Sequence, residues 1–220
     1  MKSEFQKRLI SSILLIPVCF LLIVEGSILF NLFLFLCFIL TILEWNKMSK
    51  KKNYLTISGY VFLSISFISV YLLRNFFDEQ KSFILFLFVI VICISTDIGG
   101  YIFGKILKGP RLTRISPNKT ISGMIGSYIL SIISTIFFIY IYKEFFELTL
   151  HFNIQIFILT ILISSISQIG DILISYFKRL SKMKDTGNII PGHGGLLDRI
   201  DGMIFAFPFS YYIALQSIIL

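Results

Sequence analysis

Continuous apolar runs, each about as long as a bilayer crossing, alternate along this chain with short polar breaks. Seven such runs can be drawn, over roughly 9–25, 27–43, 55–73, 82–103, 122–142, 153–176 and 201–220. A helix rises 1.5 Å per residue, so about 20 mainly apolar residues cross about 30 Å of hydrocarbon. The runs are unbroken and lack the ten-residue alternation of barrel strands. In hydrocarbon, the backbone groups of such runs are satisfied within a helix. The pattern predicts an all-α fold, a polytopic membrane helical bundle of about seven transmembrane helices, forming one integral membrane domain over 1–220. The first run follows a basic head, as in a signal peptide. It has no small-residue cleavage site and leads straight into the second run, so it is read as retained.

Composition strengthens this reading. The chain is 56% hydrophobic with a mean hydropathy of +0.87, against about 45–50% apolar residues in soluble domains. The +8 net charge sorts by loop. Lys2, Lys7 and Arg8 precede the first run, and Lys47, Lys50, Lys51 and Lys52 follow the second. Lys105, Lys108, Arg111, Arg114 and Lys119 follow the fourth; Lys178, Arg179, Lys182, Lys184 and Arg199 follow the sixth. The opposite side holds Arg74, Lys81 and Lys143. Cytoplasmic loops retain Lys and Arg, so the N-terminus is expected in the cytoplasm and the C-terminus outside, in a membrane of bacterial inner-membrane type. The positive charge is thus topology rather than a nucleic-acid patch, and no nucleic-acid partner is expected. Part of it also suits anionic lipid head groups. Cys19, Cys37 and Cys93 all fall inside apolar runs, which suggests packing rather than disulfides or a thiolate metal site. The oligomeric state stays open, a homodimer included.

Acids at membrane depth require a reason, because a carboxylate in hydrocarbon is costly unless it faces a polar cavity. Asp97 lies in "STDIGGYIFGK" and Asp171 in "SQIGDILISYFKR". The plainer alternative is a helix end at the interface with a hydrated carboxylate. Glu25 and Glu44 are read in that plainer way.

Two loops carry candidate chemistry. "RISPNKTISGMIGS" runs Ser116, Lys119, Thr120 and Ser122 into an apolar helix. Hydroxyls, backbone N–H groups and a lysine at a helix start make a seat for phosphate, although an ordinary capped loop would look similar. The second, "KDTGNIIPGHGGLLDRIDG", is the least apolar stretch of the chain. Asp198 and Asp201 stand three apart at a helix start, so both project from one face; with Asp171 they make a ligand set for a hard cation such as Mg²⁺. Gly194 and Gly195 let backbone approach a ligand closely. Lys178, Arg179, Lys184 and Arg199 surround the acids with positive charge. Metal, cations and exposed amides together are what phosphoryl or nucleotidyl transfer requires. His193 has a turn-residue alternative, and Arg199 an alternative role neutralising Asp198 or Asp201.

Residues 175–201, "SYFKRLSKMKDTGNIIPGHGGLLDRID", resemble the signature of the phosphatidate cytidylyltransferase (CDP-diacylglycerol synthase) family: Ser-x-x-Lys-Arg, Lys-Asp, a Pro-Gly-His-Gly-Gly-like turn, then Asp-Arg-x-Asp. "SPNKT" is similar to that family's Ser-Pro-Lys-Lys-Thr loop, "GD" at 170–171 to its Gly-Asp, and "TDIGGYIFGK" to its Asp-x-Gly-x-Tyr segment. The resemblance implies a reaction of CTP with phosphatidate at the cytoplasmic face, giving CDP-diacylglycerol and pyrophosphate. It implies catalytic roles for Asp171, Asp198, Asp201, Lys184 and His193. Asp171, Asp198 and Asp201 would hold Mg²⁺, with K⁺ as a second cation. Ser116, Lys119, Thr120, Lys178, Arg179, Gly194, Gly195 and Arg199 would bind substrate. Ile121-Ser122 stands where the family has an aromatic-acidic pair, and one or two N-terminal helices of longer members are expected to be missing.

Two other readings compete. "DRIDG" begins like the CDP-alcohol phosphotransferase motif, but the following "MIFAFPFSYYIALQSIIL" holds neither the Arg nor the further Asp residues that motif continues with. A transporter would use Asp97 and Asp171 as an ion path near the midplane; here the acids group with loop glycines and basic residues instead, and no inverted repeat is evident.

Overall fold

The structure is a computed structural model that describes residues 2–49, 53–77, 79–113, 115–116, 118–146, 152–190, 192 and 194–215. The described helices are α1 (Lys2–Glu25), α2 (Ile28–Ser49), α3 (Asn53–Asn75), α4 (Glu79–Leu107), α5 (Ile121–Phe146), α6 (Ile154–Leu180), α7 (Leu197–Ile200) and α8 (Met203–Leu215). Five of them, α2 to α6, are long and apolar enough to cross a membrane, and α1 covers the first expected run. The protein is a polytopic helical membrane bundle. The seventh expected run corresponds to α8, whose 13 described residues amount to about 20 Å of helix. Residues 216–220 of that run lie outside the described residues.

Several helices overrun the apolar stretches. Helix α2 continues to Ser49 and α4 to Leu107. At 29 residues, α4 is about 43 Å long, well beyond the hydrocarbon thickness. Glu44 and Asp97 therefore sit inside helices, a turn or more before their ends.

Helices α4 and α5 pack at near-backbone contact. A Cβ on Gly99 would come within 2.5 Å of the Gly126 carbonyl oxygen, and one on Gly123 within 2.8 Å of the Gly100 oxygen. Small residues at such spacing allow membrane helices to gain dispersion contacts that lipid does not already supply. Buried hydroxyls tie the neighbours: Ser127 Oγ donates to the Thr96 carbonyl at 2.7 Å, and Thr96 Oγ1 donates to Ser164 Oγ at 2.8 Å. Pro208 within α8 has no N–H to give to the Ile204 carbonyl four residues back. Ser66 Oγ on α3 donates to that carbonyl instead, at 2.7 Å, which docks α3 on α8.

The core is built in two parts. Phe30, Leu73, Phe86, Val89, Ile92, Ile163 and Phe207 belong to the larger cluster, and Trp45, Met48, Leu63, Ile174, Leu197 and Ile204 to the smaller. The smaller cluster lies under the loops that carry the polar motifs. Outward on α2, Ile28, Leu32, Phe35, Leu36, Ile39 and Leu43 are exposed, as befits a surface whose solvent is lipid.

Candidate active site

Loop residues 108–120 and 181–196 meet the C-terminal end of α2 and the acids of α4 and α6 at one end of the bundle. Gly170 makes this possible on α6. A Cβ there would lie 2.9 Å from the Asp201 carbonyl oxygen, and one on Gly202 would lie 2.9 Å from the Ser167 carbonyl oxygen. The α7–α8 junction can therefore lie directly against α6, with Asp171 beside Asp201. Asp171 and Asp97 both act electrostatically on Asp201, and Asp171 on Asp97. Lys178 and Lys119 offset the repulsion at Asp201; Lys119 and Arg199 offset it at Asp97. Asp97, whose interfacial helix-end alternative was open, is thus part of the acidic group and lies mid-helix.

Two lysines hold acids directly. Lys119 Nζ forms an ion pair with Asp171 Oδ2, so the 108–120 loop and α6 do meet. Lys178 Nζ lies 2.7 Å from Asp198 Oδ1, with side chains 12% and 6% exposed. The other Asp198 oxygen, Oδ2, accepts from Thr186 N–H at 2.8 Å, Thr186 Oγ1 at 3.0 Å and Gly195 N–H at 3.0 Å. Burial alone would push the Asp198 carboxyl up. The Lys178 hydrogen bond, the Thr186 and Gly195 amides and the Lys178 charge outweigh it and hold the carboxyl below its ordinary value.

The expected three-acid cage of Asp171, Asp198 and Asp201 is not preformed. Among the described residues no group of three acidic, His or Cys side chains stands ready to hold a metal ion. The reason is visible in the bonding: a carboxylate offers about four lone-pair positions, and Asp198 already meets three donors and shares the Thr186 hydroxyl with Glu44, while Lys119 occupies Asp171. Both acids carry an ammonium group where a cation would bind. The donor set therefore fits a hard divalent ion in chemistry.

The "SPNKT" loop folds as a tight return. Leu112 N–H donates to the Lys119 carbonyl at 2.8 Å and Ile121 N–H to the Pro110 carbonyl at 3.0 Å. Thr120 caps α5, its Oγ1 accepting from Gly123 N–H at 3.0 Å. Its oxygen thereby serves the helix start, and its hydroxyl lies 3.0 Å from Ser122 Oγ. Ser122 Oγ donates to the Lys108 carbonyl. Ser116 accepts from Lys119 N–H at 3.1 Å through its backbone carbonyl. In the second loop Gly194 adopts φ +90° and Gly192 φ +76°, and Ile190 N–H donates to the Gly194 carbonyl at 3.0 Å. Both angles are in the left-handed region that glycine enters without strain. Gly195 is buried, while Arg179, Lys184 and Arg199 are exposed at the same end. His193 lies outside the described residues.

Glu44 requires a correction. The expected hydrated carboxylate is fully buried, at 0% exposure. Oε1 accepts from Leu196 N–H at 2.9 Å; Oε2 accepts from Leu197 N–H at 2.8 Å and from Thr186 Oγ1 at 2.9 Å. The signal for it was a lone acid, followed by Trp45, just before the Lys47–Lys52 basic stretch. Its misplacement followed from ending the helix with the apolar run.

Residues 54–216 match the model of the cytidylyltransferase family. The chain belongs to the cytidylyltransferase family. Within it, the chain is 35% identical over 184 residues to the phosphatidate cytidylyltransferase of Staphylococcus aureus strain COL, covering 80% of this chain and 66% of that protein. The namesake of Staphylococcus epidermidis strain RP62A is 37% identical over 179 residues, with 80% and 65% covered. That of Staphylococcus haemolyticus strain JCSC1435 is 36% identical over 180 residues, with 80% and 64% covered. The chain thus spans just under two thirds of the length of these curated relatives.

Proposed function

We propose that this protein transfers the cytidylyl group of CTP to phosphatidate, making CDP-diacylglycerol and pyrophosphate at the cytoplasmic face of the membrane. The observation that carries the reading is the meeting of two lysine-bearing loops with Asp97, Asp171, Asp198 and Asp201 at one end of a membrane bundle, in a chain similar to named phosphatidate cytidylyltransferases. A water-soluble nucleotide must meet a lipid phosphate, and a helix-end site is where the two phases join. Lysines concentrated in the loops at that end favour its cytoplasmic placement.

In the reaction a phosphatidate phosphate oxygen attacks the α-phosphorus of CTP. The bond from that phosphorus to the β-phosphate oxygen breaks, and pyrophosphate carries the electron pair away. Asp171, Asp198 and Asp201 would hold Mg²⁺; K⁺ is the second cation the family resemblance implies. When bound, the metal would supply charge neutralisation on the phosphate oxygens and alignment of attacking and leaving groups. Lys119 and Lys178, each beside one of these acids, would bind substrate phosphates. Lys184, Arg179 and Arg199 would supply further positive charge around the triphosphate, with His193, Gly194 and Gly195 as the remaining candidates for contact with it. Ser116 lies in the same loop as Lys119 and would bind the same phosphates.

The test is turnover by the purified chain in detergent with CTP, phosphatidate and Mg²⁺. CDP-diacylglycerol should form, stop on chelation of the metal and resume on its return. Formation that continues undiminished under chelation would overturn the metal part of the reading, and no formation with any divalent ion would overturn the whole.

A further inference from the structure

Glu44 belongs to α2, 142 residues before Thr186 and more than 150 before Leu196 and Leu197, yet it is the acceptor around which the second loop closes. Its two oxygens receive three donors. Gly187 and Gly195 stand against it, where a Cβ would come within 2.7 Å of Oε1 and 2.6 Å of Oε2 respectively. A side chain at either glycine would thus press on this carboxylate. Glutamine would not substitute cleanly. An amide has one acceptor atom, and its NH₂ would face either the Leu196 or the Leu197 N–H, leaving a buried donor unsatisfied.

The link to the acids runs through Thr186. Its hydroxyl lies 2.9 Å from Glu44 Oε2 and 3.0 Å from Asp198 Oδ2, and its N–H donates to the same Asp198 oxygen. One hydroxyl hydrogen serves one acceptor at a time, so the two carboxylates share it, while the Thr186 N–H stays on Asp198. Loosening Glu44 frees the threonine, and with it the orientation of Asp198.

We infer that Glu44 is a positioning residue for the metal-binding and phosphate-binding acids: it touches neither substrate nor metal, and sets the place of Thr186 and Asp198 from a different helix. The inference rests on the reading that Asp171, Asp198 and Asp201 take up a divalent cation. Outer partners that orient metal ligands typically govern about 10–100-fold in metal affinity.

The experiment uses the full chain in detergent, with Mn²⁺ as a spectroscopic probe. Mn²⁺ affinity is measured by electron paramagnetic resonance, and the Mg²⁺ concentration for half-maximal turnover is measured alongside. For Glu44→Gln, both are expected to weaken by about tenfold or more, with kcat at saturating Mg²⁺ recovering to within a few-fold of wild type. Glu44→Asp, which keeps the charge at a shorter reach, should fall between the two. Thr186→Val preserves volume and removes the bridging hydroxyl; it should shift Mn²⁺ affinity in the same direction and carries the test should Glu44→Gln not fold. In the double variant the shift should be smaller than the product of the single shifts. A folded Glu44→Gln or Thr186→Val protein with wild-type Mn²⁺ affinity and Mg²⁺ requirement would overturn the inference and leave Glu44 a strut. A wild-type protein that turns over but binds no Mn²⁺ would instead overturn the metal assignment on which it rests.

Discussion

Asp198→Asn separates what this carboxylate does for the fold from what it does for chemistry. The substitution keeps volume but turns one oxygen into a donor. Oδ2 faces three donors and Oδ1 faces one, so the amide settles with its NH₂ toward Lys178. The backbone contacts survive, and a largely buried ammonium is left facing a donor. Breaking one side of a buried ion pair costs about 3–5 kcal/mol. The low end applies here, because the Lys178 side chain is 12% exposed and its ammonium keeps some contact with solvent. About 3 kcal/mol corresponds to a fall in Tm of roughly 6–12 °C for a chain of this size. The pH dependence has a definite sign. Asp198 is held below its ordinary value, so its contribution is present above about pH 4 and is lost as pH falls through the folded value. The Asn variant should lack this acid-side loss. Thermal melts in detergent at pH 7 and across the acid range read both effects, with Lys178→Met and the double variant completing a cycle. The double variant should lose less than the two single losses combined. A melt within a degree of wild type, or strictly additive losses, would refute the reasoning.

Gly195→Ala should lower stability by about 1–3 kcal/mol, read as a lower Tm, because its Cβ would press first on Thr186 Oγ1 and then on Glu44 Oε2 and Cδ. Lys119→Ala and Lys184→Ala should each reduce kcat/KM for CTP by tenfold or more, and the double variant by less than the product, if both act on one bound triphosphate; multiplicative losses would place one of the loops elsewhere. With Cys19, Cys37 and Cys93 replaced by Ser, a cysteine introduced at Lys47 should react with a membrane-impermeant reagent only from the cytoplasmic side, and one at Lys81 only from the other, since the basic loops fix orientation. Labelling of both from one side would contradict the topology.

The transmembrane bundle was legible because bilayer thickness translates directly into run length, and α2 to α6 fall where the runs do. The gathering of the two loops was legible for a different reason: charge, glycine and acid concentrated there against an apolar background. Helix ends were not legible. Apolar runs mark where lipid ends, while helices such as α2 and α4 continue into the interface as long as their hydrogen bonds and packing allow. Glu44 was misread on that account. Thr186 was missed because a single hydroxyl has no sequence signature; its importance comes from lying between two carboxylates brought together from 44 and 198. The state of the acids was equally hidden, since spacing can place Asp198 and Asp201 on one face but cannot say that Lys178 and Lys119 already neutralise Asp198 and Asp171.

The central claim is cytidylyl transfer, and isotope position tests it most directly. The purified chain is supplied with phosphatidate, Mg²⁺ and CTP carrying ³²P at either the α or the γ position. The α label should move into a chloroform-soluble lipid that co-migrates with CDP-diacylglycerol, while the γ label stays in water as pyrophosphate, in equal amounts. Release of CMP with no α label in lipid, or γ label entering the lipid, would contradict the account.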